Sequence, residues 1–146
     1  MSDKNSVNPG PNSIRGLIQD LSERFDAMSN ALRQQTVFAD SRPADAKTFM
    51  LISRQPRGLT ALAKALGISR QATHRSVQRL VDAGLVSFRY APGSKRDMIA
   101  ELTEKGMEGR RVGLEIAAAV DRHVADKLGE EDLEQLRSLL MRLNTD

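Results

Sequence analysis

The sequence predicts a mainly α fold with a small β-wing: a winged helix-turn-helix core flanked by N- and C-terminal helices. Three observations point there. Apolar residues recur every three or four positions over Ile14–Leu32 and again over Leu133–Leu143, the helical period. Between them, glycines and capping residues cut residues 59–84 into two short helices joined by a tight turn. The pattern then changes to alternation, with β formers on both sides of a Pro-Gly turn. A chain of 146 residues with 40% apolar content is long enough for one cored domain, or one domain plus a docking arm.

In chain order, residues 1–12 are rich in Ser, Asn, Pro and Gly and are expected to be disordered. Ser13 reads as a helix N-cap, and the stripe Ile14, Ile18, Leu21, Phe25, Met28, Leu32 extends toward Phe38, giving a helix over 13–40 that Ser41-Arg42-Pro43 breaks. A winged helix-turn-helix segment is expected over 44–102. Its first helix, Ala44–Arg54, stops at Gln55-Pro56-Arg57-Gly58; Thr60 caps a short helix, Ala61–Leu66, which Gly67 closes. Ser69 caps the next helix, which runs to about Ala83 before Gly84. Leu85–Tyr90 and Met98–Leu102 pair as a two-stranded ribbon around Pro92-Gly93-Ser94-Lys95-Arg96, with two cations at its tip. Residues 103–146 supply a helix to about Leu128, a break at Gly129 and a last helix, Glu130–Leu143, whose leading acids suit its positive end. Gly106, Gly109 and Gly113 weaken the long helix and mark either a close helix approach or a bend.

Charge is unevenly spread. The net charge is +3, but residues 54–96 carry nine basic residues against one acid, Asp82, whereas residues 112–146 carry four basic and eight acidic. A positive middle is the footprint of a polyanion partner. No apolar run is long enough to span a bilayer and no signal peptide leads the chain, so a soluble, cytoplasmic protein without a membrane partner is expected. With no cysteine, disulfides, thiolate metal sites and thiol switches are excluded. Two histidines do not make a His-rich metal site, and no cofactor is implied. Five Tyr and Phe residues with no Trp argue against a base-stacking platform for single strands.

The helix after Ser69 carries the sharpest signal. At roughly 100° per residue, with Ser69 at zero, Leu80, Val77 and Ala83 cluster around 20°. Gln71, His74, Arg75 and Gln78 lie between about 140° and 240° on the opposite side, flanked by Arg70 and Arg79. That outward face bears amide, imidazole and guanidinium groups and no carboxylate before Asp82. Arg can bridge guanine O6 and N7, and Gln adenine N6 and N7, in the major groove. Arg70, Gln71, Thr73, His74, Arg75 and Gln78 are therefore the candidate groove contacts. Ser69 at the helix N-terminus is a phosphate contact, and Lys95 and Arg96 are the wing contacts.

The runs Leu59-Thr60-Ala61-Leu62-Ala63-Lys64-Ala65-Leu66-Gly67-Ile68-Ser69-Arg70-Gln71-Ala72-Thr73-His74-Arg75, Leu80-Val81-Asp82-Ala83-Gly84-Leu85-Val86 and Leu102-Thr103-Glu104-Lys105-Gly106 resemble the MarR family of bacterial winged-helix regulators. The resemblance implies a homodimer whose dimerisation domain is built from the helix over 13–40 and the helices over 103–146, acting on a pseudo-palindromic operator in double-stranded DNA, with repression the expected direction. It maps the family's wing arginine onto Arg96; where the family often has Asp two positions earlier, this chain has Ser94. Family members often release DNA on binding small aromatic or anionic effectors, and the sequence does not select for or against such a ligand.

Two other classes fit less well. A winged-helix dimer serving as a protein–protein adaptor would want an apolar or acidic face on the second helix, which is not seen. An enzyme would need a clustered nucleophile, base or metal set, and none can be assembled from these residue types.

Overall fold

The computed structural model describes residues 12–146, so all but the last residue of the segment expected to be disordered lies outside it. The chain divides into two compact units, one comprising residues 36–115 and the other formed by the residues up to 35 together with 116–146. The sequence pattern starts the C-terminal helical segment at residue 103, whereas the division falls inside a helix, at 115/116.

In the second unit, Ser13 caps α1 (Ile14–Arg33) as expected, its hydroxyl oxygen accepting from Gly16 N at 3.0 Å. The helix stops at Arg33 and does not reach 40. Residues 34–40 form turns, in which Thr36 Oγ1 accepts the Phe38 N–H at 3.1 Å, a local bond that competes with the helical ladder. No residue of α1 is buried, and Ile14, Leu17, Ile18 and Leu21 present an exposed apolar stripe. The same unit holds the second half of α5 (Glu104–Leu128) and all of α6 (Glu130–Leu143). There Val120 and Leu133 are buried and Arg137 bridges Asp121 and Glu134. Leu139, Leu140, Met141 and Leu143 remain exposed.

Residues 36–115 hold the main core. α2 (Pro43–Arg54) starts with proline at its first position, where the missing N–H costs nothing. Two cations take its last carbonyls: Arg57 Nε donates to Leu51 O at 3.0 Å, and Arg110 donates to Ser53 O. The segment that reads only as a helix stop contains a two-residue strand, β1 (Arg57–Gly58). With β2 (Val86–Tyr90) and β3 (Met98–Leu102) it makes a three-stranded antiparallel sheet of order β1-β3-β2, not a two-stranded ribbon. A strand of two residues has no periodicity to detect.

That pairing also corrects a cap. Gly58, extended against Ile99, is the N-cap of α3 (Leu59–Leu66), so Thr60 lies inside the helix. Gly67 closes α3 at φ +69°, donating to Ala63 O, and Ser69 caps α4 (Arg70–Asp82) by accepting from Ala72 N at 3.0 Å. Ile52, Leu59, Leu62, Val77, Leu80, Leu85, Val86 and Ala100 form one cluster under α2, α3, α4 and the sheet. Each large member contributes about 1.5–3 kcal/mol by burial.

Two of the three α5 glycines mark a close approach. A Cβ at Gly106 would stand 2.0 Å from Leu85 O, and one at Gly109 3.1 Å from the Phe49 ring. The helix therefore lies directly on the base of the wing. Gly113 meets nothing within 4 Å. None of the described helices is long and apolar enough to cross a membrane.

Candidate nucleic-acid interface

Burial sorts the residues of α4. Thr73, Ser76, Val77 and Leu80 face inward, while Arg70, Gln71, His74, Arg75 and Gln78 are exposed. Thr73 is a correction. It is fully buried and its hydroxyl donates to Ser69 O at 2.9 Å, so it is absent from the outward face. The helical projection already carried the signal, because Thr73 falls at about 40°, inside the apolar sector.

The exposed side chains differ in freedom. His74 stacks on Phe88 of β2 with ring centroids 5.9 Å apart and planes 15° from parallel, so the sheet steadies it. The Gln78 amide donates to Asp82 at 3.0 Å. Arg70, Gln71 and Arg75 have no side-chain hydrogen bond or ion pair with the described residues. Ser69 spends its hydroxyl oxygen on the cap, leaving the first-turn backbone N–H groups of α4 as the anion-facing donors.

Arg79 belongs elsewhere. Its Nε and Nη2 donate to the two carboxylate oxygens of Asp45 at 2.8 and 2.9 Å. Asp45, on α2, is 4% exposed and also accepts from Ser76 Oγ at 2.7 Å. Burial works to raise the Asp45 carboxyl, but the bonds from Arg79 and Ser76, together with the positive charge of Arg79 and Arg42, outweigh it. They hold it below its ordinary range, and the same pairing raises Arg79. Sequence reasoning missed both Asp45 and Phe88. They lie 34 and 14 residues from their partners, and no local pattern links them.

At the wing, Gly93 turns the chain at φ +76° and Ser94 holds the loop beyond it. Its Oγ accepts from Arg96 N at 3.1 Å and Asp97 N at 3.0 Å. Ser94 thus braces the backbone of the loop, whereas the Arg96 guanidinium has no hydrogen bond or ion pair with the described residues. Lys95 and Arg96 are both exposed. Lower on the sheet, Arg89 is neutralised by Glu101 at 3.0 Å. With Arg79 and Arg89 paired, Arg70 and Arg75 on α4 and Lys95 and Arg96 at the wing tip are the cations of these two elements left without an ion partner among the described residues.

The chain is similar to known proteins in the same region. The family model described as MarR family matches residues 43–97. An uncharacterized Mycobacterium tuberculosis protein, Rv2011c, is 31% identical over 81 residues, 56% of this chain and 57% of that protein. The HTH-type transcriptional regulator PetP of Rhodobacter capsulatus is 42% identical over 57 residues, 38% of this chain and 34% of PetP. The chain thus spans little more than half the length of the first of these relatives and about a third of the second. Two solved structures share the fold. Apo MarR from Escherichia coli superposes with TM-score 0.76 at 21% identity, covering 91% of this chain and 97% of that one. Streptococcus pneumoniae FabT, solved in complex with DNA, gives 0.73 at 18%, covering 89% and 92%.

Proposed function

We propose that this chain, whose residues 43–97 match the MarR family model, is a winged helix-turn-helix transcriptional regulator that binds a pseudo-palindromic operator in double-stranded DNA as a homodimer and represses transcription in the cytoplasm. The observation that carries the reading is the exposed face of α4. Arg70, Gln71, His74 and Arg75 project from it, and its one carboxylate, Asp82, sits at the far end bonded to Gln78. Arg75 and Gln71 read base edges, the α4 N-terminus at Ser69 holds a phosphate, and Lys95 and Arg96 contact the flanking backbone and minor groove. FabT, which shares this fold, was solved in complex with DNA, and that supports DNA as the partner. Pairing is supported by the apolar stripe of α1 and the exposed leucines of α6, surface that a monomer leaves in water.

A small aromatic or anionic effector fits this reading as the release signal. A cleft of about 330 Å³ within residues 36–115 is lined by Phe38, Leu80 and Leu85, by Arg42 and Lys105, by Asp40, and by the paired Asp45 and Arg79. A ligand shifts the equilibrium only if it prefers the released state.

The test is selection of bound duplexes from fragmented genomic DNA, then titration of the best sequence against random duplex across salt. Log affinity should fall steeply with log salt, and the selected duplex should win by orders of magnitude. Equal binding of both duplexes would refute sequence readout.

A further inference from the structure

The Asp45 network ties the reading helix to its neighbour by something more than apolar packing. Asp45 and Thr48 stand one turn apart on α2; Ser76 and Arg79 stand one turn apart on α4. Ser76 Oγ lies 2.7 Å from Asp45 Oδ1 and 2.9 Å from Thr48 Oγ1, and Arg79 forks onto both carboxylate oxygens. No buried side-chain polar atom among the described residues lacks a partner, so the network is closed. The apolar contacts beside it, Ile52, Val77 and Leu80, would tolerate a small slide or roll, because packing is weakly directional. Hydrogen bonds would not. At a side-chain radius of roughly 5–6 Å, rolling a helix by about 20° moves its tips by about 2 Å, enough to break every bond in the set.

We propose that Asp45 is a positioning residue for DNA recognition: through Ser76 and Arg79 it sets the roll of α4, and so the aim of Gln71, His74 and Arg75. This rests on α4 being the reading helix. Asp45 itself is buried and touches no DNA. Its removal should therefore lower discrimination between sequences more than it lowers attraction to DNA in general, since phosphate contacts from the wing and the basic surface persist.

The experiment compares affinity for the selected duplex with affinity for random duplex, in full-length protein whose folding is checked by far-UV circular dichroism. Asp45→Asn should reduce the ratio about tenfold and Ser76→Ala about threefold, with random-duplex affinity within twofold of wild type. Val86→Ala, a core truncation outside the network, should destabilise the protein and leave the ratio intact. Should Asp45→Asn fail to fold, Ser76→Ala decides alone. An unchanged ratio in the folded variants, or an equal fall in Val86→Ala, overturns the inference. If wild type itself discriminates between no duplexes, the DNA reading has failed and the inference goes with it, a result visible before any variant is made.

Discussion

Replacing Gly106 by alanine sets two effects of opposite sign against each other. In an ordinary helix interior the change stabilises by about 1 kcal/mol, because alanine loses less backbone freedom than glycine. At Gly106 the new methyl would sit 2.0 Å from Leu85 O, 3.1 Å from Leu85 C and 3.2 Å from Leu102 Cβ. A carbon and a carbonyl oxygen pack no closer than about 3.3 Å, so about 1.3 Å of relief is needed, backbone against backbone. Leu85 cannot supply it freely. Its N–H donates to Leu80 O at 3.0 Å and its carbonyl accepts Thr103 N at 3.1 Å, while Gly106 N is itself bonded to Thr103 Oγ1 at 3.0 Å. Overpacking commonly costs 1–3 kcal/mol, and backbone that cannot rotate away belongs at or beyond the top of that range. The net expectation is a loss of about 2 kcal/mol, or roughly 6–8 °C in Tm for a chain this size. Gly113, on the same helix with nothing within 4 Å of its would-be Cβ, lacks the penalty, and Gly113→Ala should stabilise by about 0.5–1 kcal/mol. Urea unfolding followed at 222 nm, at one fixed protein concentration so that any self-association contributes equally to each variant, measures both. A Gly106→Ala protein as stable as wild type would mean that α5 does not lie on the base of the wing as described.

Four further outcomes are expected. Arg75→Ala should cost about 1–3 kcal/mol of binding to the selected duplex and relax preference at one base position, read by competition titration. Arg96→Ala should instead weaken selected and random duplexes alike and reduce the salt slope by about 1. Ile18→Glu on α1 should shift the protein from dimer to monomer in sedimentation equilibrium at micromolar concentration and weaken operator binding with it. Asp45→Asn should lower stability by about 1–2 kcal/mol at neutral pH, a value discounted because Arg79 is 39% exposed. The folded Asp45 carboxyl lies below its unfolded value near 4, so its contribution is complete above about pH 4 and fades as pH falls through the folded value. The stability gap between variant and wild type should therefore narrow in acid; a gap that widens there would contradict the ion pair.

Features that depend on neighbours along the chain were legible in the order of residues alone. The periods of α1 and α6, the serine caps at Ser13 and Ser69, the left-handed glycine at Gly67 and the strand alternation of the wing are all set by residues within a turn or two of one another. The outward chemistry of α4 was legible for the same reason, since a helix of known pitch fixes which side chains share a face. Thr73 is the exception, although the projection held the answer. It is polar by composition, but its hydroxyl is satisfied by the helix's own backbone and so enters the core at little cost.

Whatever joins distant segments came from the packed fold. The pairing of Arg57–Gly58 with β3 moves a helix start from Ala61 to Leu59 and adds a strand too short to leave a period. In the sequence Asp45 is an unremarkable first-turn acid of α2; the fold brings Ser76 and Arg79 onto it from more than 30 residues away. Basic charge counted along the chain likewise overstates the free cations, because Asp45 and Glu101 neutralise two of them only after folding. Local geometry propagates through covalent bonds and is written in order. A contact across the core depends on how whole elements pack, which no single stretch of residues encodes.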